Sequence, residues 1–249
     1  MINARRLPGK WEQATNYVQR TLLTEYDKWS EVTNRALANA LKRGATRDEL
    51  AHIVNGRLSD LEGPLIQSLR AGIMRTSSLS LGGPLGAHIH SPDVLKALAD
   101  RIAASDVMVK TQLIPNIGES IVGHLSQQGP MLDSVGLRAA MDLQRSKIGW
   151  QAGTAWQTIF EVQKTALNAH EQEGGEVVPV RWALDPNALH CHTDPKRGTF
   201  GCPEMAGVYM NGIDSLPTLP AANVTCGLNC RCHLELSWDK GKTFGRITS

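Results

Sequence analysis

All five cysteines of this 249-residue chain, Cys191, Cys202, Cys226, Cys230 and Cys232, fall in one stretch near its C-terminal end. None precedes Cys191. Thiols so confined constrain the fold more than any other feature, because they tie separated points of one segment to a common centre. His190, His192 and His233 stand in the same stretch. Three devices fit such a set. Thiolates and imidazoles at short spacing bind zinc, which takes four N or S ligands when the site is structural. Cysteines also form disulfides, or pack as small buried hydrophobes.

The spacing is C-x10-C-x23-C-x3-C-x-C, a tight knuckle preceded by a long returning loop. An odd number of cysteines leaves one thiol over in any set of disulfides. The first residues are mixed and basic, without the apolar segment of a signal peptide, so synthesis in a reducing cytosol is expected. There disulfides are disfavoured. Zinc is the leading expectation, held by four of the five cysteines. In an extended Cys230-Arg231-Cys232 both sulfurs face one side and Arg231 the other. Cys226 is the natural third ligand, and Cys202 or Cys191 the fourth. His190 or His192 can replace a cysteine, while His233 lies on the opposite strand face from Cys232.

The rest of the chain reads as helix. Residues 8–42 place Trp11, Val18, Leu22, Trp29, Val32, Ala36 and Ala40 near one stripe. Pro8 sits near the start and Gly44 ends the run. Thr46-Arg47-Asp48-Glu49 is a capping box opening a helix to about residue 56. A further segment covers 61–74, with Pro64 in its first turn. Residues 75–91, rich in Ser and Gly, read as a mobile arm. Ser91-Pro92-Asp93 restarts a helix to about 104. Another spans 106–125, kinked at Pro115, and Gly129-Pro130 is a turn. A long helix covers 133–172 and ends at Gly174-Gly175.

Then the period changes. Residues 177–182 are β-branched and extended, with Pro179 marking an edge strand or a strand start. Residues 230–237 alternate Cys232, Leu234 and Leu236 with His233, Glu235 and Ser237, and the two strands are expected to pair antiparallel. So small a sheet buries little by itself, and a zinc clamp supplies the missing stability. The expected fold is mainly α with a small C-terminal Cys-rich, zinc-stabilised β module, an α+β chain. Its expected parts are a helical body (1–175) carrying the arm, the β module (176–238) and a polar tail (239–249).

The C-terminal stretch resembles the phage Mu F-like head morphogenesis family, the minor head proteins of tailed phages. The likeness runs from Val178 to Leu236. It comprises a strand ending in Trp182, then Asp185, Cys202-Pro203, Gly207, the proline-containing 216–220, and Asn229-Cys230-Arg231-Cys232 followed by a strand. The family usually carries a His shortly before the final Cys pair, where this chain has Cys226. It also often has a shorter Cys-x-x-Cys where this chain puts ten residues between Cys191 and Cys202. The resemblance implies a structural role in head assembly, in contact with portal, capsid and neck proteins of one multi-subunit particle and with packaged DNA. It implies residence in the virion after synthesis in the host cytoplasm.

Other classes are narrower. A net charge of +2 gives no broad basic surface for nucleic acid. No run approaches the ~20 apolar residues of a membrane span. There is no G-x-x-x-x-G-K-[ST], G-x-S-x-G, H-E-x-x-H or G-x-G-x-x-G, and no enzyme is expected. The alternative readings are a metal-dependent hydrolase or nuclease using His190, His192 and Asp194 at an open metal site, and a zinc-supported nucleic-acid binder with Lys196, Arg197 and Arg231 as its cations.

Overall fold

The computed structural model describes residues 10–127, 134–185, 188 and 191–245. Pro8, the Gly129-Pro130 turn, His190 and Arg246 lie outside the described residues, as does the side chain of Trp11. Helices come first and strands last: α1 (Lys10–Lys42), α2 (Arg47–Ser80), α3 (Pro92–Met108), α4 (Ile114–Gln127), α5 (Ser134–Trp150), α6 (Ala152–Gln172), β1 (Val180–Ala183), α7 (Cys202–Met205), β2 (Gly207–Tyr209) and β3 (His233–Leu236). The chain is α+β and mainly α, with a small sheet and a cysteine cluster near its C-terminal end.

The local signals explain most boundaries. Thr46 and Glu49 close a capping box: the Thr46 amide donates to Glu49 Oε2 at 2.6 Å, and the Glu49 amide to Thr46 Oγ1 at 3.3 Å. The Thr46 amide, with the Thr46 hydroxyl that donates to the same oxygen at 3.0 Å, holds the Glu49 carboxyl below its ordinary range. At α3 the Val94 amide donates to Ser91 Oγ at 3.3 Å. α1 buries Val18, Leu22, Trp29 and Ala40 as expected, yet Thr33 and Leu37 face inward where Val32, 47% exposed, does not. The helix therefore presents a slightly rotated face in its second half.

Three expectations are corrected. The two helices expected over 46–56 and 61–74 are one helix, α2, which passes through Pro64. The mobile arm at 75–91 is also not an arm. α2 continues to Ser80, a 3₁₀ turn covers Gly83–His88, and Leu81 and Leu85 are buried. Its hydroxyls serve the helix: Thr76 Oγ1 donates to Gly72 O at 2.8 Å and Ser80 Oγ to Ser77 O at 2.8 Å. Gln163 Nε2 donates to Ser80 O at 3.2 Å, supplying a partner for a carbonyl at the helix end. Finally, the long helix after residue 133 is two, α5 and α6, separated at Gln151.

The kink expected at Pro115 takes the form of a π turn, Val109–Leu113, between α3 and α4. Proline lacks an amide donor and its ring crowds the carbonyl four residues back, so a wider turn just ahead of it relieves both problems.

By contacts the chain divides into two compact units. One comprises 1–16, 72–101 and 153–249; the other comprises 17–71 and 102–152. This differs from a boundary at 175/176, because α6 belongs with the strands. In the first unit Trp156, Phe160 and Leu167 of α6 share a core with Leu81, Leu85, Val94, Val180, Trp182, Leu234 and the cysteines. Each such large side chain contributes about 1.5–3 kcal/mol on burial. In the second unit Tyr26 Oη donates to Met141 O at 2.7 Å and Trp29 Nε1 to Arg57 O at 2.7 Å. Arg145 grips Asp27 through both carboxylate oxygens, at 2.7 and 2.9 Å.

The sheet has the order β2-β1-β3. β1 pairs antiparallel with β3, Arg181 opposite Glu235 and Trp182 opposite Leu234, and with β2 on its other side. β1 is thus the central strand, and Pro179 stands just before its start, where its carbonyl accepts the Ser237 amide at 3.0 Å. Every residue of β3 is buried, including His233 and Glu235. Arg181 binds the Glu235 carboxylate, Nε to Oε2 at 2.6 Å, and its guanidinium lies 5.1 Å from the Phe244 ring centroid. The segment after β3 is not loose up to Gly245: Leu236 and Gly245 exchange backbone hydrogen bonds at 2.9 and 3.0 Å.

Candidate metal centre

Each cysteine is delivered to the centre by a short piece of backbone with its own cause. The ten residues between Cys191 and Cys202 form a closed loop. Asp194 and Thr199 exchange backbone hydrogen bonds at 3.0 and 3.2 Å, and Gly198 turns the chain with φ of +64°. The Gly201 amide then donates to Thr193 Oγ1 at 2.9 Å. Gly201 lies so close to this returning strand that a Cβ would sit 2.6 Å from Cys191 O. Hence the spacing that separates Cys191 from Cys202 in sequence does not separate them in space: their sulfurs are 3.5 Å apart.

Cys226 arrives by a parallel bridge between Phe200 and Val224. The Phe200 amide donates to Asn223 O at 3.1 Å and the Thr225 amide to Phe200 O at 2.9 Å. Cys202 and Cys226 each follow the bridge by two residues, so register alone brings them together, Sγ to Sγ 3.4 Å. A 3₁₀ turn over Gly227–Asn229 carries the chain to Cys230, whose sulfur is 3.7 Å from Cys202 Sγ. That turn rests on the start of α6, where a Cβ on Gly153 would lie 2.1 Å from Leu228 O. Arg231 points away from the sulfurs, its guanidinium 5.9 Å from the Trp156 ring centroid.

The five sulfurs form two triads that share Cys202: Cys191, Cys202 and Cys226, and Cys202, Cys230 and Cys232. Within each triad the sulfurs lie within 4.8 Å of one another. Sulfurs bound at about 2.3 Å on a tetrahedral zinc stand about 3.8 Å apart. The measured separations of 3.4–3.7 Å around Cys202 match that edge length. They exceed the ~2.05 Å of a disulfide, and all five cysteines are free thiols. The cluster can hold a metal ion. Cys191, Cys202, Cys230 and Cys232 are buried and Cys226 is half-buried.

Protons are held unevenly here. Hydrogen bonding to Cys226, Cys230 and Cys232, with burial, drives the Cys202 thiol far up. Hydrogen bonds from Cys202 and Cys230 pull Cys226 down to about 5. Cys230 is lowered, first by Cys202. At Cys232 the lowering contact with Cys202 is outweighed by Cys230 and burial, and its pKa rises.

The other candidates lie apart from the sulfurs. Among the described residues the groups able to hold a metal consist of cysteine alone. His192 is exposed, its Nδ1 3.7 Å from Glu204 Oε1. Asp194 serves its own loop, Oδ1 accepting the Lys196 amide at 3.0 Å. His233 pairs with Glu235, Nε2 to Oε1 3.3 Å, as its strand face requires. One contributor lacked any direct signal in the spacing. The Asp185 amide donates to Cys232 Sγ at 3.5 Å, a contact of the kind that steadies metal-bound ligands. Gly201 and Gly153, where backbone meets backbone, were readable only as glycines near a cysteine or in a helix.

The chain finds no match among family models, curated proteins or solved structures.

Proposed function

We propose that this chain is a structural minor head protein of a tailed phage, whose C-terminal module is held by one zinc ion. The observation that carries the reading is the convergence of all five sulfurs, with Asp185 of the same motif donating its amide to one of them. The motif that resembles the Mu F-like family is thus also the local device that gives the small sheet its shape. Soft thiolates in a buried, closed set select zinc over hard cations. Four protein ligands leave no site for an activated water, so the ion is structural.

Cys191, Cys202, Cys226 and Cys230 are the ligand set we favour: Cys202 Sγ lies 3.4–3.7 Å from each of the other three, and the ion would draw Cys230, which shares a triad with neither Cys191 nor Cys226, toward them. Cys232 then stands beside the ion as the fifth thiol, its sulfur accepting the Asp185 amide. The helical body supplies surface for portal, capsid and neck proteins of the particle, with packaged DNA nearby.

Two measurements test this. Elemental analysis of the purified chain should give about one zinc per chain and Cys232→Ser should keep it, while Cys202→Ser should lose it. A metal-free chain with five reactive thiols and unchanged folding would sink the zinc reading. For the assembly role, the chain is co-expressed with portal and capsid proteins from the genome that encodes it and sedimented. It should travel with the particles; recovery only as a free chain would overturn the head assignment.

A further inference from the structure

The second unit carries a cleft of about 620 Å³ with no cysteine in its lining. Its walls are the π turn and α4 on one side and the end of α5 on the other. Met108, Leu113 and Ile117 supply apolar surface, and the walls carry the carboxamides of Gln112, Asn116, Gln144 and Gln151. Trp150, 51% exposed, stands at its edge.

Gln144 is the telling residue. It is 1% exposed and its Nε2 donates to Ser120 Oγ at 2.7 Å, but its Oε1 has no hydrogen-bond partner. Gln151 Oε1, in the break just after α5, is likewise buried without a partner. Buried amide oxygens are rarely left so, because each costs about 1–3 kcal/mol. Flipping either amide leaves a different atom of the same group unsatisfied. Two such groups lining one cleft, beside an exposed Trp, form a site whose donors come from elsewhere.

We propose that this cleft binds an extended segment of another polypeptide. Carboxamides match peptide groups, one donor and one acceptor each. Gln144 on α5 and Gln151 just past its end are seven residues apart, so at helical rise the acceptors span about 10 Å. That accommodates roughly three residues of extended chain. Trp150 offers a flat apolar surface for one of its side chains, as aromatic anchors do at interfaces. Charge argues against nucleic acid: the cleft holds one cation, Lys147, with Glu119 on the facing helix. The argument uses neither the metal nor the head-assembly reading, and stands if either fails.

The test is a random heptapeptide array probed with the full-length, metal-loaded chain, with dT12 and maltoheptaose as competing probes. Selected peptides should bind the native chain, and Trp150→Ala and Gln144→Leu should each weaken them about tenfold or more. Val32→Ala, at an exposed position outside the cleft, should leave affinity unchanged. Gln144→Leu loses the bond to Ser120 but also removes the unmet oxygen, so its melting temperature should stay within a few degrees of the native chain's, which separates lost binding from lost folding. The proposal is overturned if no peptide binds, if peptides bind both cleft variants as well as the native chain, or if dT12 or maltoheptaose occupies the cleft instead.

Discussion

Gly153 and Cys202 show how single residues govern the centre. A methyl at Gly153 would meet Leu228 O at 2.1 Å, and backbone cannot yield as a flexible side chain can. Gly153→Ala is therefore expected to push the 227–229 turn off α6 and cost about 1–3 kcal/mol, read as a drop in melting temperature with weakened metal retention. Cys202 lies in both sulfur triads, so Cys202→Ala should release the metal outright, whereas the same change at Cys232 should not. Acid acts on the same atoms. Metal binding displaces the thiol protons, so retention should be complete near neutral pH and fall as the pH drops into the acid range. Metal release measured by a chromophoric chelator across pH 8 to 4 checks this; release that does not change with pH would refute it.

Among the elements, the capping box and Pro-led α3 were legible because each depends on neighbours in sequence, and β1 and β3 were legible as strands from their own composition and alternation, which left few other strands for them to pair with. What was not legible depends on distant partners. The hydroxyl-rich 75–80 looked like a loop by composition, but Thr76 and Ser80 bond to carbonyls of their own helix, and Gln163 of α6 meets the helix end. Similarly, the alternation in β3 did not show that its polar side is covered, by Arg181 and the returning 239–245 segment. The cysteine cluster was legible as a set, since confinement alone announced it. The register that joins Cys202 to Cys226 was not, because one isolated parallel bridge leaves no periodic trace. Replacing Phe244 with Ala should test the cover: losing the ring above Arg181 is expected to cost about 1–2 kcal/mol, seen as earlier hydrogen exchange at the β3 amides.

At the scale of the molecule, the two units should respond differently to a chelator. Removing metal should loosen the unit that holds Trp156 and Trp182 and spare the one that holds Tyr26 and Trp29. Near-UV dichroism and hydrogen exchange with and without chelator read this directly; simultaneous collapse of both would contradict it. The division also has a consequence in time. The residues of the second unit are all made by position 152, while the first waits for its third segment. Another 80 or so residues, 232 less 152, must be translated before the last sulfur exists. At about 5–20 residues per second that is roughly 4–16 s. Any ion at the five sulfurs can thus be loaded only after the second unit is complete, and a ribosome halted between these points displays one finished half beside an open, thiol-bearing one.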